Sequence, residues 1–148
     1  MNSLLYLVGA FFIIRALYTF FFPSTTMSAE QSLDFEQIHK VAGTGTINDM
    51  SITIIDVRNP SEFKAGHVDN AHNLPVAELS DALALPPKDF KDAYGFELPA
   101  LDSETEGILV YCQRGGRAQR AFDELDSKGY KSNLFAYLPG WGEYSQKI

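Results

Sequence analysis

Cysteine is scarce in this 148-residue chain. Cys112 stands alone, so no disulfide can form within it. An isolated thiol does not indicate a redox compartment, and on composition alone it reads as a small core hydrophobe. Positive charge is short as well. Twelve Lys and Arg face 19 Asp and Glu, giving a net charge of −7, which argues against nucleic acid as a partner because its phosphates would be repelled. The three histidines, His39, His67 and His72, lack ligand-like grouping, so packing or surface roles are expected and no metal site. There is no internal repeat. What remains is an ordinary globular composition, 45% hydrophobic, with room for one domain.

Charge is nearly absent from the first part of the chain. Arg15 is the only charged side chain before Glu30, and residues 4–22 read LLYLVGAFFIIRALYTFFF. That run is about long enough to span a bilayer. Arg15 opposes insertion by roughly 2.5–3.5 kcal/mol, which the surrounding Leu, Ile and Phe can offset. A cleaved secretory signal fits less well, since no Lys or Arg precedes the run, and a mitochondrial presequence should carry more Arg and Ser. Residues 1–26 are therefore expected to be an apolar helix and linker that tether the chain to a membrane or target it to an organelle such as the mitochondrion. A buried core helix is the alternative. Translation from Met27 would leave residues 27–148 as a cytoplasmic domain.

From residue 33 onward, strand-like and helix-like segments alternate. Phe35, Ile38 and Val41 suit a short helix ending at Gly43. Residues 51–57 (SITIIDV) and 107–111 (GILVY) are almost continuously apolar, as buried parallel strands are. Residues 59–63 open a turn and short helix, residues 72–75 make a short strand or turn, and residues 82–93 are ambiguous around Pro86 and Pro87. Residues 117–128 form the clearest helix, with Ala118, Ala121, Phe122 and Leu125 on one face and Gly129 as its cap. A strand at 133–137 and a helix at 139–147 follow. The pattern predicts an α/β fold with a central parallel sheet covered by helices on both faces.

The loop after the second long strand carries the chemistry. Cys112 stands at the strand end, Gly115 and Gly116 lie in the loop, and the strongest helix begins at Arg117. Ligands of open α/β sheets bind at this end of a strand. The glycines let the backbone curl and aim N–H groups inward as an anion cradle. The helix N-terminus adds partial positive charge, and Arg114 and Arg117 add two full charges. Cationic surroundings of this kind favour a thiolate, so the loop supplies a nucleophile beside a seat for an anion.

The run Cys112-Gln113-Arg114-Gly115-Gly116-Arg117 resembles the six-residue active loop of the rhodaneses. Ile55-Asp56-Val57-Arg58-Asn59-Pro60-Ser61-Glu62-Phe63 resembles their Asp-Val-Arg…Glu-Phe signature. The stretch from Gly66 to Pro75 is similar to the segment that follows, with Asn70 where the family has Gly. Leu138-Pro139-Gly140-Trp141 is similar to their closing loop, with Trp141 and Tyr144 in place of Gly and Trp in the last helix. Residues 85–90 look like the insertion of small single-domain members. Four motifs in order, across residues 33–144, make a single-domain rhodanese-like fold the expectation.

The resemblance implies that Cys112 attacks the outer sulfur of thiosulfate and keeps it as a persulfide, with Gln113, Arg114, Gly115, Gly116 and Arg117 binding the substrate. A thiol acceptor, glutathione or a thioredoxin-like partner, then removes the sulfur, and no cofactor is needed. Asp56, Arg58 and Glu62 are expected to support the architecture, Arg58 and Glu62 pairing across their turn and Asp56 orienting the active loop. Trp141 is expected at the pocket rim. A persulfide carrier or sulfur-binding module without turnover is the alternative. Rhodanese-like phosphatases have five residues between Cys and Arg, whereas four separate Cys112 from Arg117, and Tyr111 stands where many of them have His.

Overall fold

The computed structural model describes residues 26–148. The apolar helix expected over residues 4–22 lies outside them. Among the described residues no helix is long and apolar enough to cross a membrane.

Two strands anchor the fold. Strand β2 (Met50–Asp56) and strand β4 (Glu106–Tyr111) pair in parallel from Ser51 opposite Glu106 to Asp56 opposite Tyr111. Their continuous apolar runs are buried on both faces, as a parallel sheet requires. Strand β5 (Leu134–Tyr137) extends the sheet in parallel beyond β4. The other edge of β2 is shared. Strand β3 (His72–Asn73) pairs in parallel with its end, at Ile55 and Asp56. Strand β1 (Thr46–Ile47) pairs antiparallel with its start, at Met50 and Ser51. The sheet is thus mixed, not wholly parallel. The antiparallel hairpin turns through Asn48 and Asp49, both in left-handed backbone conformations that Asn and Asp tolerate.

Helices cover both faces. On one, Ile55, Val57, Ile108 and Val110 pack with Ala118, Ala121, Phe122 and Leu125 of the helix Gly116–Ser127. On the other, Ile54, Leu109, Tyr111 and Tyr137 pack with Ile38 and Val41 of helix α1 (Phe35–Thr44). Helix α1 opens on a capping box between Asp34 and Gln37 and runs one residue past the expected stop at Gly43. Gly43 is accommodated inside the helix, and the left-handed cap falls at Gly45, whose N–H donates to the Val41 carbonyl at 2.7 Å. Helix α2 is Pro60–Ala65. The ambiguous stretch resolves into two helices, α3 (Leu79–Leu83) and α4 (Pro87–Tyr94). Pro87 suits the first turn of α4, where its missing N–H costs nothing. Helix α5 (Gly116–Ser127) and helix α6 (Gly140–Lys147) complete the chain.

Asn70 replaces a glycine without disturbing the fold. It holds φ near 62°, and its side chain Nδ2 donates to the Ala42 carbonyl at the end of α1, 3.0 Å away. The histidines pack against aromatic rings: His39 on Phe35, His67 on Phe63, His72 on Phe96.

Candidate active site

The carboxyl ends of β2 and β4 deliver the site. β4 ends at Tyr111, so Cys112 is the first residue beyond the sheet, and it is only 1% exposed. The next residues curl into the first turn of α5. Gly115 makes the curl possible. Its φ is 95°, and a Cβ there would lie 2.6 Å from the Leu138 carbonyl oxygen. In that conformation its N–H donates to Cys112 Sγ at 3.1 Å. Gly116 is different. It begins α5 with open space around it, so only the first of the two glycines is required by the curl.

The start of α6 holds the loop from behind. The Trp141 N–H donates to the Cys112 carbonyl at 2.8 Å, and the Gly142 N–H donates to the Gln113 carbonyl at 3.1 Å. These are N–H groups that the first turn of a helix leaves without partners of its own. The loop carbonyls are thereby turned toward α6 and away from the thiol. Gly140 permits the approach, since a Cβ on it would lie 2.5 Å from the Cys112 carbonyl oxygen. On the open side, the unpartnered first N–H groups of α5 and its dipole face the loop.

Two ion pairs brace this arrangement, and neither is the expected one between Arg58 and Glu62. Arg58 is 1% exposed and binds Asp56: Nε lies 3.0 Å from both carboxylate oxygens and Nη2 lies 2.6 Å from Oδ2. The remaining donors go to the Gly66 carbonyl at 2.6 Å and to Gln113 Oε1 at 3.2 Å. The guanidinium also sits over the Trp141 ring, 5.2 Å from its centroid. Asp56 therefore reaches the active loop through Arg58 and Gln113. Asn73 fixes the same corner by donating to the carbonyls of Asp56 and Arg58.

Glu62 instead meets Arg117. Helix α2 starts at Pro60, which puts Glu62 in its first turn, where Oε2 accepts the Asn59 N–H at 3.0 Å. From there the carboxylate faces the start of α5 and takes two hydrogen bonds from Arg117, at 2.6 and 2.9 Å. That fork, more than any other contact, holds the Glu62 carboxyl down at about pKa 2.

An open cavity of about 530 Å³ lies over Cys112, lined by Cys112, Gln113, Arg114, Gly116, Arg117 and Arg120. Every loop residue singled out in the sequence except Gly115 faces it, and Gly115 is buried against Leu138 behind it. Arg120 belongs to none of the sequence motifs. The signal for it is spacing, three residues after Arg117 and so on the same face of α5. The contacts from Gly66, Asn73 and residues 140–142 are likewise absent from the sequence reading, being made by segments far away in the chain. A larger, mostly apolar cavity of about 730 Å³ lies between α3, α4 and residues 97–101, and no thiol lines it. The buried thiol, the anion-facing loop and the arginines belong to the smaller one.

Comparison with known proteins bears on this site. The rhodanese-like domain family matches residues 42–147. A Schizosaccharomyces pombe protein carrying the provisional name of a mitochondrial thiosulfate sulfurtransferase is 37% identical over 86% of this chain and 87% of its own. A Saccharomyces cerevisiae thiosulfate:glutathione sulfurtransferase is 35% identical over 79% of this chain and 78% of its own. A solved human single-domain sulfurtransferase superposes with a TM-score of 0.68 at 29% identity, covering 80% of this chain and 97% of that one.

Proposed function

Because this chain belongs to the rhodanese-like domain family and is a sulfurtransferase, we propose that it moves a sulfane sulfur from thiosulfate to a thiol acceptor, with Cys112 carrying the sulfur as a persulfide. One observation carries the reading: the only thiol of the chain sits beneath three arginines, with a backbone N–H already aimed at its sulfur.

The chemistry follows in two displacements. The Cys112 thiolate attacks the outer sulfur of thiosulfate. The S–S bond of thiosulfate breaks, its electron pair leaves with sulfite, and a new S–S bond joins Cys112 to the transferred sulfur. Gln113, Arg114, Gly115, Gly116 and Arg117 form the seat. The Gly115 N–H and the first turn of α5 stabilise the anionic outer sulfur, while Arg114 and Arg117 offset the charge of the arriving dianion. The acceptor thiolate then attacks the outer sulfur, and the electron pair of the broken bond returns to Cys112. Charge and sulfur balance in both steps, and no oxidant is consumed. Asp56, Arg58 and Glu62 act at one remove: Asp56 and Arg58 position Gln113, and Glu62 positions Arg117.

Relatives named for thiosulfate and glutathione support that donor and that acceptor. The mitochondrial name of the fission-yeast relative supports a mitochondrial address; we assign that address to residues 1–26 and the rhodanese domain to residues 27–148. Sulfite release from thiosulfate in the presence of glutathione tests the activity. The full-length protein should release sulfite catalytically. Sulfite limited to one equivalent per chain would favour a carrier without turnover, and none at all would reject the donor.

A further inference from the structure

We propose that Arg120, together with Arg114, binds the carboxylates of the sulfur acceptor, so that the acceptor this chain prefers is a small anionic thiol of the glutathione class rather than a neutral one. The proposal rests on the reading of Cys112 as the sulfur carrier and adds to it a residue that sets which thiol is served.

The surface around Cys112 runs against the charge of the molecule. The chain carries a net charge of −7, yet three of its twelve Lys and Arg line one cavity of about 530 Å³, and no carboxylate lines it with them. The three arginines are not equivalent. Arg117 has both terminal nitrogens bonded to Glu62. Arg114 and Arg120 are exposed, and among the described residues neither makes a hydrogen bond or ion pair. Guanidinium forks left open beside a reactive sulfur are suited to bidentate recognition of carboxylates.

Their placement divides the work. Cys112 is 1% exposed, so an acceptor must bring its thiol in from the cavity. Thiosulfate is compact and fits within reach of the loop N–H groups. Arg120 stands one helical turn, about 5 Å, further along α5 than Arg117. A tripeptide thiol with its sulfur at Cys112 extends past the loop, and its terminal carboxylates reach that distance while a two-carbon thiol does not. The step served is the second displacement: the acceptor thiolate bonds the outer sulfur, the bond to Cys112 breaks, and its electron pair returns to Cys112.

The experiment separates the two half-reactions in the full chain. Cys112 is first loaded with thiosulfate, and the excess is removed. Discharge is then followed against concentration with glutathione, with glutathione esterified at both carboxylates, and with 2-mercaptoethanol. Wild type should prefer glutathione to its diester. Arg120→Ala should raise the half-saturating glutathione concentration about tenfold, the scale of one hydrogen bond to a charged group, and shrink that preference. Arg120→Lys should restore part of it. Equal half-saturation of wild type by glutathione and its diester would overturn the proposal. So would an Arg120→Ala variant slowed equally toward all three thiols. Failure of Cys112 to load would instead reject the sulfur-carrier reading beneath it.

Discussion

Glu62 and Arg117, 55 positions apart, are joined by two hydrogen bonds of 2.6 and 2.9 Å that tie the first turn of α2 to the first turn of α5. The carboxyl is held at about pKa 2, against 4.5 for a free Glu, chiefly by the Arg117 fork. A group whose folded pKa is depressed adds stability that is fully present above its unfolded pKa and lost as pH falls toward the folded one. Urea unfolding of wild type and Glu62→Gln should therefore differ most above about pH 4.5 and converge as pH approaches 2. A difference that stays constant across that range would show that the ion pair is not what stabilises the contact.

Gly115 and Gly116 should respond in opposite ways to one added methyl. Gly115 holds φ at 95° with its Cβ direction blocked by the Leu138 carbonyl, whereas Gly116 begins a helix in open space. Gly115→Ala should lose about 1–3 kcal/mol of stability and most sulfur transfer, because the curl that aims its N–H at Sγ is strained. Gly116→Ala should match or slightly exceed wild-type stability. Equal effects of the two substitutions on the urea midpoint would contradict the described loop.

Arg58 is the keystone of the inner ion pair. Replacing it with Met leaves the Asp56 carboxylate buried without its partner, which should cost about 3–5 kcal/mol. Adding Asp56→Asn to that variant should recover part of the loss, since a neutral amide is less costly to bury than an unpaired charge. Transfer activity should stay low in both, because Gln113 loses the donor that anchors its side chain. A double variant no more stable than Arg58→Met alone would mean that the burial of Asp56 is not the source of the cost.

Much of this architecture is legible in the amino-acid sequence. The strands 51–57 and 107–111 stand out as nearly continuous apolar runs, because both faces are buried over residues 54–57 and 107–111. Helix α5 is visible from the spacing of Ala118, Ala121, Phe122 and Leu125. The loop is visible because its composition, a Cys before Arg, Gly, Gly and Arg, is rarely explained by packing. The antiparallel strand β1 is not, because two residues are too few to show a period. Nor is the partner of Glu62, because spacing along the chain suggests Arg58, four residues away, while the fold brings Arg117 from 55 away. The grip of α6 on the loop is hidden for the same reason: it is made by the backbone N–H groups of Trp141 and Gly142, and its one mark in the sequence is the glycine at 140.

Residues 1–26 should set location. A tagged full-length protein should sediment with membranes or mitochondria, and a form starting at Met27 should stay in the supernatant. Recovery of the full-length form in the cytosolic fraction would remove the proposed role of the apolar run.

The central claim is that sulfur rides on Cys112, and intact mass spectrometry of the protein after brief exposure to thiosulfate tests it most directly. The native chain should gain the mass of one sulfur atom, located on the peptide containing Cys112 and removed by glutathione. Cys112→Ser, close in shape but unable to hold a persulfide, should gain nothing and release no sulfite. A native chain that stays unmodified while transferring sulfur, or a Cys112→Ser variant that still transfers it, would contradict the account.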